Sequence, residues 1–98
     1  MSLPYYLKPF LWSVKLDSLD LKKDSYYIIH QILAYGDLKA IKWLFKTYSR
    51  QEIINNFKKK FKDYRKQRFY FVKDILLELK NKEFNENYYV KNTPRVIR

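Results

Sequence analysis

The sequence predicts an all-α protein, and three observations carry that prediction. Apolar residues recur at three- and four-residue steps in successive stretches, which is the spacing of one helical face. Residues that cap helices stand where these stretches begin. One glycine and three prolines leave little in the chain to interrupt a helix. We therefore expect a small bundle of about four helices, with an irregular N-terminal strap and a C-terminal arm.

The chain of 98 residues has the length of one domain. We expect a single helical domain over residues 1–80 and a flexible or partner-ordered arm over residues 81–98. Two prolines, Pro4 and Pro9, interrupt the first twelve residues and disfavour a regular helix there. Those residues are nonetheless rich in Leu and aromatic side chains, so we expect them to pack across the domain as a strap.

The first helix is predicted over residues 21–35, with Ile28, Ile29 and Ile32 on its apolar face. Gly36, the only glycine, follows at the position where a left-handed residue ends a helix. Asp37 is a good N-cap for a second helix over residues 38–48.

Ser49 and Glu52 have the spacing of a capping box and predict a third helix that starts at Arg50 and carries Phe57 and Phe61. A break is expected near residues 63–64, and a fourth helix over residues 68–80. The apolar stripe of that fourth helix is expected to comprise Val72, Ile75, Leu76 and Leu79. The second and third helices are compatible with a helix-turn-helix, but their turn is short and lacks glycine, so an ordinary α-hairpin is favoured.

Positive charge is concentrated in residues 58–68. The whole chain has a net charge of +11, and this segment holds seven positive residues and one negative residue, a net +6. Such a segment repels itself unless an anionic partner neutralises it, and nucleic-acid phosphates are common partners. Arg suits guanine recognition and Lys suits phosphate contact. The predicted nucleic-acid-binding residues are Lys58, Lys59, Lys60, Lys62, Arg65, Lys66, Arg68 and Arg50.

Two other interpretations of this segment stay open. An acidic protein surface would attract the same cations, and an AT-rich genome would supply many lysines on a solvated face. The arm offers a separate surface, because spaced aromatics followed by cations suit a segment that folds onto a protein partner. The predicted partner-binding residues are Phe84, Tyr88, Tyr89, Val90 and Arg95.

The residues for catalysis or metal binding are missing from the sequence. Without cysteine there is no thiolate nucleophile, and one histidine, His30, cannot supply a His-rich metal site. A single glycine cannot form a phosphate-binding loop. We expect a non-enzyme with no catalytic residue, no metal and no cofactor. His30 is expected to be a satisfied or surface side chain, and Asp17, Asp20 and Asp24 are expected to serve as caps and turns.

Two short patterns stand in the first part of the chain. One is Leu-Pro…Lys-Pro…Trp near the N-terminus, and the other is Tyr-Gly-Asp…Trp-Leu from Tyr35 to Leu44. On these patterns, residues 3–57 resemble a family of short prokaryotic domains of unknown function. Members of that family are often encoded beside nucleotidyltransferase-like toxins, so the resemblance implies an antitoxin-like role and brings no catalytic residues. After Phe57 the sequence departs from the family pattern.

The leading hypothesis is a cytoplasmic, non-enzymatic antitoxin-like adaptor. Its basic segment would contact nucleic acid, such as the operator of its own operon, and its arm would bind a toxin or a larger effector. The alternative is a pure protein-interaction subunit or regulatory fragment with no nucleic-acid role. A third possibility is a membrane-surface or ribonucleoprotein component. No signal-peptide pattern and no apolar run of membrane-spanning length occurs in the sequence, so no membrane partner is expected.

Overall fold

A computed structural model of the chain describes residues 3–12 and 15–90. The described residues are mostly helical and contain no strand, which confirms the all-α prediction. Four α-helices occur among them: α1 (Ser25–Tyr35), α2 (Leu38–Thr47), α3 (Arg50–Phe57) and α4 (Lys66–Tyr70). A π-helical segment, Phe71–Leu76, follows α4. The described residues also contain three short 3₁₀ helices: Tyr5–Phe10, Leu16–Ser18 and Glu86–Tyr88.

The chain divides into two compact units, and the division falls between Lys59 and Lys60. The sequence pattern instead predicts a boundary after residue 80 and an arm beyond it. Residues 81–90 belong to the second unit, so the described part of the predicted arm is a component of that unit.

Helix α1 is the centre of the first unit. Its seven residues from Ile28 to Ala34 are all buried, polar Gln31 included. This is because α2, α3 and the first 3₁₀ helix all contact α1. The N-terminal strap packs as predicted, with Leu3, Leu7 and Leu11 buried. It is also held by the Gln31 side-chain amide, which donates a hydrogen bond of 2.9 Å to the Phe10 carbonyl.

Helix α1 begins at Ser25, several residues later than predicted, because two aspartates organise the preceding turn. The Asp20 carboxylate accepts hydrogen bonds from the backbone N–H groups of Lys22 and Lys23. The Asp24 carboxylate accepts one from the backbone N–H of Asp20 at 2.7 Å. The expectation that these carboxylates serve turns is confirmed. The Tyr48 hydroxyl donates a 2.6 Å hydrogen bond to the Leu21 carbonyl and ties this turn to the end of α2.

The junction between α1 and α2 requires glycine for a reason that the local sequence does not reveal. The prediction that Gly36 is left-handed is wrong. Its backbone is extended, with φ −66° and ψ 152°. Its N–H donates to the Ile32 carbonyl at 2.7 Å, and a Cβ at this position would lie 2.6 Å from that same oxygen. Close approach to the preceding helical turn therefore excludes a side chain. Asp37 is the predicted N-cap and accepts from the Ala40 N–H at 2.9 Å.

Helix α3 begins as predicted and ends earlier than predicted. Both hydrogen bonds of the capping box are present between Ser49 and Glu52, at 3.1 and 3.0 Å. The helix stops at Phe57 and does not reach Phe61, because the side chain of His30 occupies its carboxyl end. His30 Nε2 lies 2.7 Å from the Asn56 carbonyl oxygen and 3.0 Å from the Lys59 carbonyl oxygen. In a longer α-helix the Asn56 carbonyl would accept a hydrogen bond from the backbone N–H of Lys60.

Because both neighbours of His30 Nε2 are carbonyl oxygens, that nitrogen carries the proton and donates to them. His30 is therefore a satisfied core histidine, as expected. It fills the role of a C-terminal cap: it binds the Lys59 carbonyl and shares the Asn56 carbonyl with the backbone N–H of Lys59, which donates to it at 3.1 Å.

The fourth predicted helix differs in its geometry and in its buried face. Helix α4 begins at Lys66 and runs without a break into the π-helical segment, in which the Leu77 N–H donates to the Val72 carbonyl five residues earlier. The wider turn changes which side chains face inward. Ile75, predicted to be in the core, is 63% exposed, and Lys73 is buried instead. Beyond this segment Glu78 has a φ of 53°, a left-handed conformation that stops the helix well short of residue 80.

A cluster of aromatic rings forms the core of the second unit. The rings of Tyr64, Phe69 and Tyr89 pack mutually, with centroids 5.0 to 6.3 Å apart. The Tyr64 N–H also donates to the Tyr89 carbonyl at 2.9 Å, beside an isolated parallel bridge between Tyr64 and Val90. Residues 81–90 are thereby held against residues 64–69.

We expect Gly36→Ala to destabilise the protein by about 1–3 kcal/mol, because the added methyl overpacks against the Ile32 backbone oxygen. The usual effect of Gly→Ala at a non-left-handed position is a modest gain in stability. Urea unfolding of the two proteins measures the difference. An unchanged or increased free energy of unfolding would contradict the close approach.

We expect His30 to make the protein sensitive to mild acid. Burial lowers the pKa of His30 to about 4, although its hydrogen bonds to Asn56 and Lys59 favour the charged ring. The unfolded chain, with a pKa of 6.5 for this group, binds the proton more readily. The stabilisation is therefore present above pH 6.5 and is lost as the pH falls toward 4. Between pH 7 and pH 5 this group should lower the free energy of unfolding by about 2 kcal/mol.

The matched control is His30→Gln, whose amide can still donate to a carbonyl but does not titrate. Its unfolding free energy should lack that part of the pH dependence, since the carboxylates contribute equally to both proteins. His30 is the only histidine in the chain, so its imidazole proton signals can be followed by NMR. A titration midpoint near 6.5 in the folded protein would refute the buried neutral histidine.

Candidate nucleic-acid interface

The predicted nucleic-acid-binding residues fall in both units. Arg50 begins α3, and Lys58 and Lys59 follow α3, so these three belong to the first unit and are exposed. The other five belong to the second unit, and all of them are exposed except Arg68, which is half-buried: Lys60, Lys62, Arg65, Lys66 and Arg68. None of the lysines of the predicted segment is drawn into the core.

We name the four exposed cations Lys60, Lys62, Arg65 and Lys66 the basic surface of the second unit. Two of them contact the 3₁₀ helix Glu86–Tyr88. The Lys60 ammonium lies 3.9 Å from the centroid of the Tyr88 ring, which is 46% exposed. The Lys66 ammonium lies 4.0 Å from a Glu86 carboxylate oxygen. An exposed ion pair at this distance contributes little stability.

The backbone under the basic surface is anchored by Tyr64. Its ring is fully buried in the aromatic cluster, and its N–H is bonded to Tyr89. Lys62 and Arg65 flank this anchor and are exposed. Because Tyr64 between them is fixed, the backbone that carries these two cations is held in a defined position and is not a free loop.

Arg68 is a poorer candidate for contact with a base than the sequence suggests. It lies in α4 next to buried Phe69, and burial lowers the pKa of its guanidinium. Arg65 and Arg50 are exposed and present their guanidinium groups at the surface. Arg65 is the one that belongs to the basic surface of the second unit.

The predicted partner-binding residues have very different environments. Tyr88 is exposed and Phe84 is half-buried, with its ring 6.0 Å from that of Tyr89. Tyr89 is only 3% exposed and Val90 is also buried, so these two side chains do not present a surface to a partner. The reason is their packing against Tyr64, which the sequence pattern does not show. Arg95 lies outside the described residues.

The first unit has an exposed aromatic group where the sequence predicts internal packing. Leu3, Leu7 and Leu11 of the strap point inward, and this four-residue spacing leaves other apolar residues outside. Trp12 is 57% exposed, and its ring makes an edge contact with Tyr35 at 4.9 Å. The Lys39 ammonium lies 4.2 Å from the Tyr6 ring centroid. The exposed apolar residues of this unit are Tyr5, Tyr6, Trp12 and Leu38. The spacing of the three leucines is the signal that could have identified the exposed residues of the strap, Tyr5, Tyr6 and Trp12.

Within residues 3–12 and 15–90, no group of three or more His, Cys, Asp or Glu side chains is placed to hold a metal ion. His30 is engaged with backbone carbonyls, and the aspartates of the turn before α1 bind backbone N–H groups. No helix in this part of the chain is long and apolar enough to cross a membrane.

The fold and the surface together define a small helical protein with an anchored, exposed cationic surface on its second unit. The chain belongs to a family of unknown function (DUF6922), whose model matches residues 6–57. No curated protein and no solved structure matches the chain.

The family match begins at Tyr6, after the Leu3-Pro4 start of the first sequence pattern, contains the whole of the second pattern, and ends at Phe57, the last residue of α3. The strap, α1, α2 and α3 are therefore the family's part of this protein. The second unit, with the basic surface, lies beyond the match. The prokaryotic origin and the toxin gene neighbourhood remain predictions.

Two adjacent tyrosines test whether residues 81–90 form part of the second unit. We expect Tyr89→Ala to lower the free energy of unfolding by about 3–5 kcal/mol, because it removes a buried ring from the aromatic cluster. Tyr88→Ala is the matched control, and it should cost about 1 kcal/mol or less, since this ring is half exposed. Chemical unfolding of both variants decides between the two environments. Equal losses would show that Tyr89 is not a core residue.

Proposed function

We propose that this protein is a non-enzymatic adaptor that binds nucleic acid through the basic surface of the second unit. The observation that carries the proposal is the presence of four exposed cations within seven residues, on a backbone anchored by buried Tyr64. Concentrated like charge is unfavourable in the free protein, and a phosphate backbone neutralises it with release of counterions.

The same surface includes an aromatic ring. Tyr88 is half exposed and lies under the Lys60 ammonium. A positive groove combined with an exposed aromatic ring is the arrangement that proteins use to bind single strands, where bases stack on the ring. Phosphate contact by the cations and stacking on Tyr88 are therefore compatible with one bound strand.

The adaptor role also needs a protein-binding surface. Because Tyr89 and Val90 are buried, we assign that role to the exposed aromatic side chains of the N-terminal strap, Tyr5, Tyr6 and Trp12. Aromatic side chains are enriched in the centres of protein interfaces. The antitoxin-like role belongs to this proposal: nucleic acid would bind the second unit, and a toxin or larger effector would bind the first.

The second candidate function is a pure protein-interaction subunit without a nucleic-acid role. The exposure of Trp12 favours it, since its ring is 57% exposed beside Tyr35 and tryptophan is enriched among the residues that anchor protein interfaces. It predicts that Trp12→Ser abolishes partner capture, whereas neutralising the basic surface has no effect on any binding.

The proposal predicts a salt-dependent affinity for nucleic acid that depends on the basic surface. We expect a triple variant, Lys62→Gln, Arg65→Gln and Lys66→Gln, to have a shallower slope when the logarithm of the duplex DNA binding constant is plotted against the logarithm of the salt concentration. The slope should change by about 2.7, or about 0.9 for each phosphate that is no longer neutralised. Lys60 is left unchanged so that its contact with Tyr88 is kept. Shift titrations at two or more salt concentrations, with duplex and single-stranded DNA and RNA, measure the slopes.

The control carries the same change of charge at exposed lysines of the first unit, Lys22→Gln, Lys23→Gln and Lys42→Gln. Its slope should stay close to that of the parent protein. If both triple variants flatten the slope equally, binding depends on net charge alone and the basic surface is not the site. If the parent protein retains no nucleic acid at low salt, the proposed function is wrong.

A further inference from the structure

A cleft of about 600 Å³ lies beside the π-helical segment of the second unit. This volume is in the range of small-molecule binding sites. Two lysines, two aromatic rings, one carboxylate and one amide contribute to its walls. The lining residues are Tyr70, Lys73, Lys82, Glu83, Phe84 and Asn85.

Lys73 is the unusual member of this wall, because it is a lysine that is only 7% exposed. Its ammonium lies 2.7 Å from one carboxylate oxygen of Asp74 and 5.6 Å from the centroid of the Tyr70 ring. An ammonium has three N–H donors. Among the described residues, Asp74 supplies the one hydrogen-bond acceptor for it.

Lys73 is buried because of the backbone geometry. The π-helical segment turns Ile75 outward and Lys73 inward, which exposes an apolar side chain and buries a charged one. Both changes are unfavourable in the isolated protein. π-Helical turns are frequent at functional sites, and a ligand that uses the spare donors of Lys73 would offset the cost of burying it.

We propose that this cleft binds a nucleotide, with its phosphate at Lys73 and Lys82 and its base against the ring of Phe84. Two cations attract a phosphate by charge-assisted hydrogen bonds, and a half-buried ring offers a surface on which a base can stack. The amide of Asn85 and the carboxylate of Glu83 supply donor and acceptor atoms for the edge of the base. The inference does not depend on the basic surface of the second unit, none of whose four cations lines the cleft.

The geometry around Lys73 predicts that substitutions of Lys73 and Asp74 change the nucleotide affinity in opposite directions. Lys73→Met keeps a long, unbranched side chain but removes the ammonium, so nucleotide affinity should fall about tenfold or more. Asp74→Asn removes the negative charge that competes for the ammonium, so affinity should rise several-fold. Lys82→Met should weaken binding, and Lys80→Met, at an exposed lysine outside the lining, should leave it unchanged.

The experiment is NMR titration of the isotope-labelled full chain with the four common nucleoside 5′-monophosphates, with adenosine and with inorganic phosphate. We expect at least one nucleotide to shift signals of residues 70–85, and to bind more tightly than adenosine or inorganic phosphate. The amide spectrum of each variant reports on its folding, and Asp74→Asn gives a gain that damage to the fold cannot mimic.

The proposal is overturned if no nucleotide shifts these residues at millimolar concentration, if adenosine or inorganic phosphate binds as tightly as the nucleotides, or if Lys73→Met and Lys80→Met behave alike. The Lys62, Arg65 and Lys66 triple variant separates this proposal from the nucleic-acid function. It should show the flatter salt dependence of strand binding and keep its affinity for the mononucleotide.

Discussion

The hydrogen bonds from His30 to the end of α3 are the contact on which the end of the first unit depends. The imidazole takes the Asn56 carbonyl that a longer helix would use, and it also binds the Lys59 carbonyl. Without this cap nothing in the local sequence would stop α3, because no proline or glycine follows for more than thirty residues. The helix instead ends at Phe57. In a longer helix, the cations that follow would lie three and four residues apart on one face and would repel one another.

A second contact, the burial of Tyr64, fixes the backbone that carries those cations. Tyr64 is buried with Phe69 and Tyr89, so the chain between Lys60 and Lys66 is held at a point near its centre. The 3₁₀ helix Glu86–Tyr88 then supplies contacts for Lys60 and Lys66. An exposed cationic surface on a fixed backbone loses less conformational entropy on binding than a free tail does. Part of the aromatic richness of the sequence thus builds the core of the second unit.

Much of the first unit could be predicted from local sequence signals. The starts of α2 and α3 follow from Asp37 and from the Ser49–Glu52 pair, and the inward residues of α1 follow from their spacing. The errors arise where the deciding contact is distant in sequence or where the helix is not α-helical. His30 lies 26 residues before Asn56, so the end of α3 is invisible locally. The inward turn of Lys73 depends on a five-residue hydrogen bond, which a period of 3.6 residues cannot represent.

The candidate site shows the same division between local and distant determinants. Charge density correctly identifies the exposed lysines and arginines as surface residues. It cannot show that Tyr88 and Glu86 contact them, or that Tyr89 and Val90 turn away into the core, because these depend on the pairing of Tyr64 with Tyr89. Gly36 is a similar case. The sequence places it correctly at the end of a helix, but its requirement comes from crowding against Ile32 and not from a left-handed backbone.

The cap on α3 has a consequence for where the first unit ends. The donor, His30, and both acceptors, at Asn56 and Lys59, lie before the division between the units, so the last helix of the first unit is completed by its own residues. The family match stops at the same helix end. The helices within the match therefore end on a cap whose donor and acceptors all belong to the first unit, so no residue after Lys59 is needed to complete it. In this chain the segment after Lys59 carries the cationic surface.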